Sequence, residues 1–382
     1  MTILLNLENM VKYTVVYVLN IRPKRCISNI MEVVFMKKFL AVVLSAIMVL
    51  SLVACGNKAA ATTETAEGGN TYKVGVAIYQ FTDNFMTLYR NEIESYFKEI
   101  EKETGDKYEL TIVDSKNDMA EQSNQIDTFI AQGMDAIILN LVQTSSADVL
   151  VDKVVSAGIP LILINREPLG DDGDYSYKGI LDNANVCYVG ADARQSGTYQ
   201  GEIIRDLADN GDINGDGKVS YIMIEGDPEN VDAQYRTEYS IKALTDAQIA
   251  VEKLDDQVGN WDQTKGQEIC ANDLVQYGDK IEVVFCNNDG MALGAYAAID
   301  AAKRVVGEDI YLVGVDALSE VLEDVIAGTI TGTVLNDHIG QSHGAADAAI
   351  NYLTGAGNEH YIQCDYVKVT TENAQSVLAS LQ

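Results

Sequence analysis

From residue 71 onward the chain alternates between two hydrophobic periods. Short, nearly continuous apolar runs such as YKVGVAIYQ and DAIILNLV are followed by longer stretches in which apolar residues recur every three to four positions. The first pattern reads as a parallel strand buried on both faces, the second as an amphipathic helix lying over it. NFMTLYRNEIESYFKEIEKETG, AEQSNQIDTFIAQG and SADVLVDKVVSAG are such helices, and Gly133 is placed to cap the second. YELTIVDS and PLILINREP add strands, and the same grammar repeats through NVCYVGAD, VSYIMIEG, IAVEKLDD, IEVVFCNND and YLVGVDAL. This alternation predicts an α/β fold with doubly wound parallel sheets. About 310 residues exceed one comfortable core, so two lobes are expected. The expected division is 71–160 plus 337–366 for the first lobe and 161–336 plus 367–382 for the second. The chain would cross between them near 161–167, again with a helix over 339–353, and once more before the last strand, making a multi-strand hinge with a cleft.

Polar clusters sit just past several strands: FTDNFM at 81–86, LNLV at 139–142, NVDAQYR at 230–236, FCNNDGMALGA at 285–295, VGVDAL at 313–318 and GTVLND at 332–337. Ligands of open α/β sheets gather at the carboxyl ends of strands. Carboxylates, carboxamides and a guanidinium offer planar, paired donors and acceptors, which suit holding a polyol rather than cleaving it. Trp261 is the only tryptophan and lies in the polar stretch Gly259-Asn260-Trp261-Asp262, which places it toward a cleft rather than in a core. Asp316, following an apolar strand, is in a place commoner for a helix cap than for a ligand, and the same applies to Asp83.

The N-terminal region bears on location. Residues 36–55 carry a dilysine start, an apolar run of about fifteen residues and then Leu52-Val53-Ala54-Cys55, the pattern of a signal peptide (36–54) with a lipobox whose Cys55 is acylated. The run is short for a bilayer span. Residues 55–70, rich in Ala, Thr, Glu and Gly, read as a tether. Residues 1–35 continue no later pattern, and Met31-Glu32-Val33 is encodable with a purine-rich ribosome-binding sequence just upstream of Met36, so they read as a leader with Met36 as the true start. The net charge is −30, which argues against nucleic acid or anionic lipid as a partner of the general surface. Cys187, Cys270, Cys286 and Cys364 form no CxxC or metal-spaced cluster and are expected to be buried and free.

YQFTDNFM, AIILNLV, IEGDPENVDAQYRT, IEVVFCNNDGMALGA, VGVDAL and GTVLND, in this order from about Tyr72 to near the C-terminus, resemble the periplasmic galactose/glucose-binding proteins, the substrate-binding lipoproteins of methylgalactoside-type ABC importers. The resemblance implies a type I periplasmic-binding-protein fold and a bound hexose: galactose, glucose or a methyl-galactoside. It implies Asp83, Asn140, Asp232, Arg236, Asn288, Asp316 and Asn336 as hydrogen-bonding ligands of a pyranose, with Phe85 and Trp261 sandwiching the ring, whose C–H faces are apolar. The family commonly has histidine where this chain has Asn230, so binding without titration between about pH 5.5 and 8 is expected. The partners implied are a monosaccharide, an ABC permease and, as an alternative readout, a chemoreceptor or other membrane receptor, with the protein itself a monomer on the outer face of the cytoplasmic membrane.

A metal site is also predicted. Asp212, Asn214, Asp216, Lys218 and Ser220 occupy positions 1, 3, 5, 7 and 9 of a calcium loop with Gly217 at position 6, Lys218 offering its carbonyl. Met223 stands at position 12 instead of Glu. The resembled family closes a similar loop with a distant Glu, which Glu282 matches, and has Gln where this chain has Ser220; the implied cofactor is Ca²⁺.

Two other function classes fit less well. A sugar-responsive regulator would need a helix-turn-helix and a basic surface. A glycosidase would need paired carboxylates in an acid and nucleophile setting, and His338, His343 and His360 fit no triad motif.

Overall fold

The computed structural model describes residues 69–168 and 179–381; the leader, the signal peptide, Cys55 and nearly all of the tether lie outside the described residues. The first sheet is all parallel, in the order β2 (Lys107–Asp114), β1 (Thr71–Ile78), β3 (Ala136–Leu139), β4 (Leu161–Ile164), β5 (Val186–Gly190), β11 (Tyr361–Gln363). The second runs β7 (Val251–Val258), β6 (Val219–Glu225), β8 (Val283–Cys286), β9 (Tyr311–Val313), also parallel. Bridges from Val313 to Gly332 and from Asp316 to Leu335 continue it toward β10 (Thr333–Leu335), which pairs antiparallel with β12 (Val367–Val369).

Helices cover both faces of each sheet: α1 (Asn84–Thr104), α2 (Met119–Gln132), α3 (Ala147–Ser156) and α9 (His338–Thr354) on the first, α4 (Ala193–Arg205), α5 (Val231–Asp246), α6 (Gln263–Tyr277), α7 (Asp289–Ala301), α8 (Ser319–Ala327) and α10 (Ala374–Ser380) on the second. The apolar stripe of α1, Phe85, Tyr89, Ile93 and Phe97, packs with Val76 and Ile78 of β1 and Ala345 and Ala349 of α9. Ile222, Ile224 and Val284 pack with Met291, Ile299, Val325 and Leu378 in the second core. Gly133 closes α2 in the left-handed conformation, φ 66°.

The first crossing departs from expectation. The chain does not leave the first sheet near 161–167, because β4 is buried along its whole length and pairs with β3, Leu161 opposite Ile137, while β5 pairs in turn with β4. Removing those strands from the sheet would expose two continuous apolar runs. The crossing lies between β5 and α4, which packs on α5 through its glycines: a Cβ at Gly201 would sit 2.2 Å from the Ser240 carbonyl oxygen. The other crossings fall between β10 and α9 and between β11 and β12.

Cys187, Cys270 and Cys286 are buried, Cys364 is half-buried, and all four are unpaired. Burial pushes the Cys187 and Cys270 thiols up to about 12, away from reactivity. Among the described residues no helix is long and apolar enough to cross a membrane.

Candidate ligand-binding cleft

The carboxyl ends of both sheets face a cleft of about 320 Å³. Tyr79, Asp83, Phe85, Met86, Asn165 and Arg166 line it from the first lobe; Asn230, Asp232, Arg236, Trp261, Asn288 and Asp316 line it from the second, and Asn336 lines it at the second crossing.

Local backbone chemistry aims these side chains. Asp83, Asn230 and Asn288 are the N-caps of α1, α5 and α7, accepting from the backbone N–H of Met86 at 2.7 Å, Asp232 at 3.1 Å and Met291 at 2.9 Å. Each cap therefore stands where its helix begins, at the cleft wall. The second Asp83 oxygen accepts the Tyr79 hydroxyl at 2.7 Å, and Asn288 Nδ2 donates to the Trp261 carbonyl at 3.3 Å. Asp316 caps no helix; it lies at φ 129°, with Ala317 at φ 56°, and the Asn336 Nδ2 donates to it at 3.3 Å. Trp261 also has positive φ, 67°, and strained residues of this kind persist where surrounding structure holds them. Its ring lies against Gly226, where a Cβ would come within 2.1 Å of ring carbons. Phe85 is buried, its ring edge-on to His338 at 6.5 Å.

The charged groups are almost fully withdrawn from solvent. Arg236 donates to the Asn287 carbonyl at 2.8 Å and the Tyr366 hydroxyl at 3.1 Å, and its Cζ lies 5.6 Å from the Trp261 ring centroid. Burial pushes Asp232 up to about 6, against the pull of Arg236 and Arg166. Burial also raises Asp316 well above the usual carboxylate range, reinforced by Asp289 and Asp83 and opposed by Arg236. The expectation of a site without titration between pH 5.5 and 8 therefore does not follow from Asn230 alone, because Asp232 lies in that range. Four buried polar atoms of the lining residues, Asp232 Oδ1, Arg236 Nε, Trp261 Nε1 and Arg166 Nη2, have no hydrogen-bond partner among the described residues.

Asn140 stands apart from the other predicted residues. It is fully buried behind the wall, accepting from Tyr79 N at 3.3 Å and donating to the Ile164 carbonyl at 3.1 Å and Asn165 Oδ1 at 3.2 Å. It orients Asn165, which faces the cleft at φ 60°. Sequence reasoning passes over Asn165 and Arg166 because it assigns them to the crossing, although PLILINREP bears the same polar-after-strand signal as the other motifs.

The predicted calcium loop enters β6 at its far end. Asp212 Oδ1 accepts from the N–H of Gly215 at 2.9 Å and Asp216 at 3.1 Å, and Asn214 Oδ1 from Asp216 at 2.8 Å. Asp216 Oδ1 accepts from Lys218 at 3.2 Å. Glu282 is brought to the loop from the start of β8, buried, accepting from Asn214 N at 3.0 Å and Ser220 N at 2.8 Å. No group of three or more His, Cys, Asp and Glu close enough to hold a metal occurs among the described residues. The donor set is nonetheless all oxygen, each carboxylate keeps lone pairs beyond those its loop N–H groups engage, and this chemistry fits a hard cation. Ser220 Oγ is directed at Glu252, 3.5 Å away, rather than into the loop.

Comparison with known proteins follows the geometry. A model of the periplasmic binding protein domain matches residues 74–357. The chain is 33% identical over 314 residues to the D-galactose/methyl-galactoside binding periplasmic protein of Haemophilus influenzae, covering 79% of this chain and 90% of that one. It is 26% identical over 301 residues to the ribose import binding protein of Bacillus subtilis, covering 78% and 88%. A solved ABC transporter solute binding protein from Bacillus halodurans with bound myo-inositol superposes with a TM-score of 0.68 at 28% identity, covering 82% of this chain and 99% of the other.

Proposed function

The chain belongs to the periplasmic binding protein family, and from that premise we propose that it is an extracytoplasmic solute-binding protein that captures one hexose, galactose, glucose or a methyl-galactoside, between its lobes and delivers it to an ABC importer. It is a binding protein, not an enzyme. The observation that carries the ligand class is the set of partnerless buried atoms on Asp232, Arg236, Trp261 and Arg166, set beside the Phe85 and Trp261 rings. A polyhydroxylated ring supplies hydroxyls that both donate and accept, and C–H faces for the aromatics. Asp83, Asn230, Asn288, Asp316 and Asn336 complete its hydrogen-bonding ring in this reading.

One finding favours a second ligand, a cyclitol. Asn140 is withdrawn from the cleft and Arg166 stands in it, and a relative at 28% identity binds myo-inositol. Calorimetry against glucose, galactose, methyl-galactoside, ribose and myo-inositol separates the two. The hexose reading expects saturable one-to-one binding with a hexose preferred and recovered unchanged; tighter binding of myo-inositol selects the cyclitol, and no binding by any of the panel overturns both. We further propose that Ca²⁺ occupies the 212–220 loop closed by Glu282, and that Cys55 carries the lipid anchor.

A further inference from the structure

Arg166 is placed unlike the other residues of the cleft. Its side chain is 1% exposed. Nη1 donates to the Val142 carbonyl at 2.6 Å and Cζ lies 3.7 Å over the Tyr79 ring, both on the first lobe. Across the gap, the same Nη1 stands 3.5 Å from Asp227 Oδ2, on the second lobe just past β6. Nη2 is buried, belongs to a cleft-lining residue and has no hydrogen-bond partner among the described residues. Beside this pair, the Thr144 hydroxyl of the first lobe donates to the Glu229 carbonyl of the second at 3.2 Å. Asp227 does not line the cleft, and its other oxygen accepts from Glu229 N at 3.0 Å, which fixes the loop that presents it.

We propose that Arg166 and Asp227 form an interlobe latch that couples ligand capture to lobe closure, with the Arg166 Nη2 reading an acceptor oxygen of the ligand. This rests on the polyhydroxylated-ligand reading of the cleft. An arginine serving only its own lobe would find its partners there; this one finds one carbonyl and one ring there, its counter-charge across the gap, and an unmet donor toward the ligand. Burying a guanidinium is costly unless it is paired and hydrogen-bonded. Closure without ligand therefore buries Nη2 unmet, whereas closure around a ligand oxygen completes the set. The ligand thereby binds the closed form better than the open one, and that difference is what moves the equilibrium.

The test uses Trp261 emission, reporting from inside the cleft, and the radius of gyration from small-angle scattering, on the wild type, Asp227→Asn, Arg166→Gln and the double variant. Asp227→Asn retains the oxygen that holds Glu229 and touches no ligand. It is expected to bind the preferred ligand of the panel at least about tenfold more weakly, through faster dissociation, with compaction reduced. The double variant is expected to match Arg166→Gln alone, because both changes remove one shared interaction. Wild-type affinity and compaction in Asp227→Asn, or losses that add in the double variant, overturn the latch. If the wild type binds none of the panel, the parent reading fails. The latch, which rests on that reading, falls with it.

Discussion

Asp232 carries the charge question of the cleft. Its carboxyl has an ordinary value near 3.8 when unfolded and about 6 when folded, because burial disfavours the anion more than Arg236 and Arg166 favour it. The folded state therefore keeps a proton that the unfolded chain has already released between those values. The stability this contributes is fully present below pH 3.8 and is lost as pH rises through 6. A rise of that size corresponds to about 3 kcal/mol. Urea unfolding of the free protein from pH 4 to 7 should show the wild type losing up to about that much relative to Asp232→Asn; a difference that stays flat with pH would refute the assignment. At this scale the sequence was legible where one residue serves two purposes. Asp83, Asn230 and Asn288 cap helices and line the cleft as well, so at Asp83 the cap reading does not exclude a place in the cleft. Asn140 and Arg166 were illegible for a different reason: which of two polar residues past neighbouring strands turns forward depends on hydrogen bonds to segments 61 and 24 positions away, which no local pattern encodes.

Strands and helices were legible because period alone separates them, and Gly133 and the Asp and Asn caps mark their ends. Sheet membership was not. β4 and β5 have the same apolar grammar as β6, and only the pairing of Leu161 with Ile137 and Val186 assigns β4 and β5 to the first sheet. The same element logic separates the predicted calcium loop from the cleft. The loop precedes β6 and the cleft-lining residues Asn230, Asp232 and Arg236 follow it; seven residues at about 3.3 Å each put roughly 23 Å between the two ends. Calcium would offset most of the negative charge of Asp212, Asp216 and Glu282 and stabilise the second lobe without touching the ligand. Chelation should lower the melting temperature and leave ligand affinity unchanged, and Asp216→Ala should abolish the calcium response. An unaltered melting curve in chelator would show that the loop is held by its own N–H groups alone.

At the scale of the whole molecule, three crossings between lobes put the cleft beside the hinge, and every predicted ligand except Asn140 came together there because each followed a strand. What retains such a molecule at a membrane is a separate matter of charge and anchoring. A chain with net charge −30 is repelled by an anionic membrane surface. Residues 1–54 carry more Lys and Arg than Asp and Glu, so the part beyond them is more acidic still. None of the described helices can span a bilayer. In the lipobox reading, attachment would fall to Cys55, with its acyl chains supplying the apolar area that enters the bilayer. Changing Cys55 to Ser should move the protein from the membrane fraction to the soluble one, with ligand affinity preserved because the cleft begins only at Tyr79. If Met36 is the true start, as the leader reading expects, deleting residues 1–35 should leave fractionation and expression unchanged. Retention of the Cys55→Ser protein on membranes would place the anchor elsewhere, and loss of expression on the deletion would make the longer start genuine.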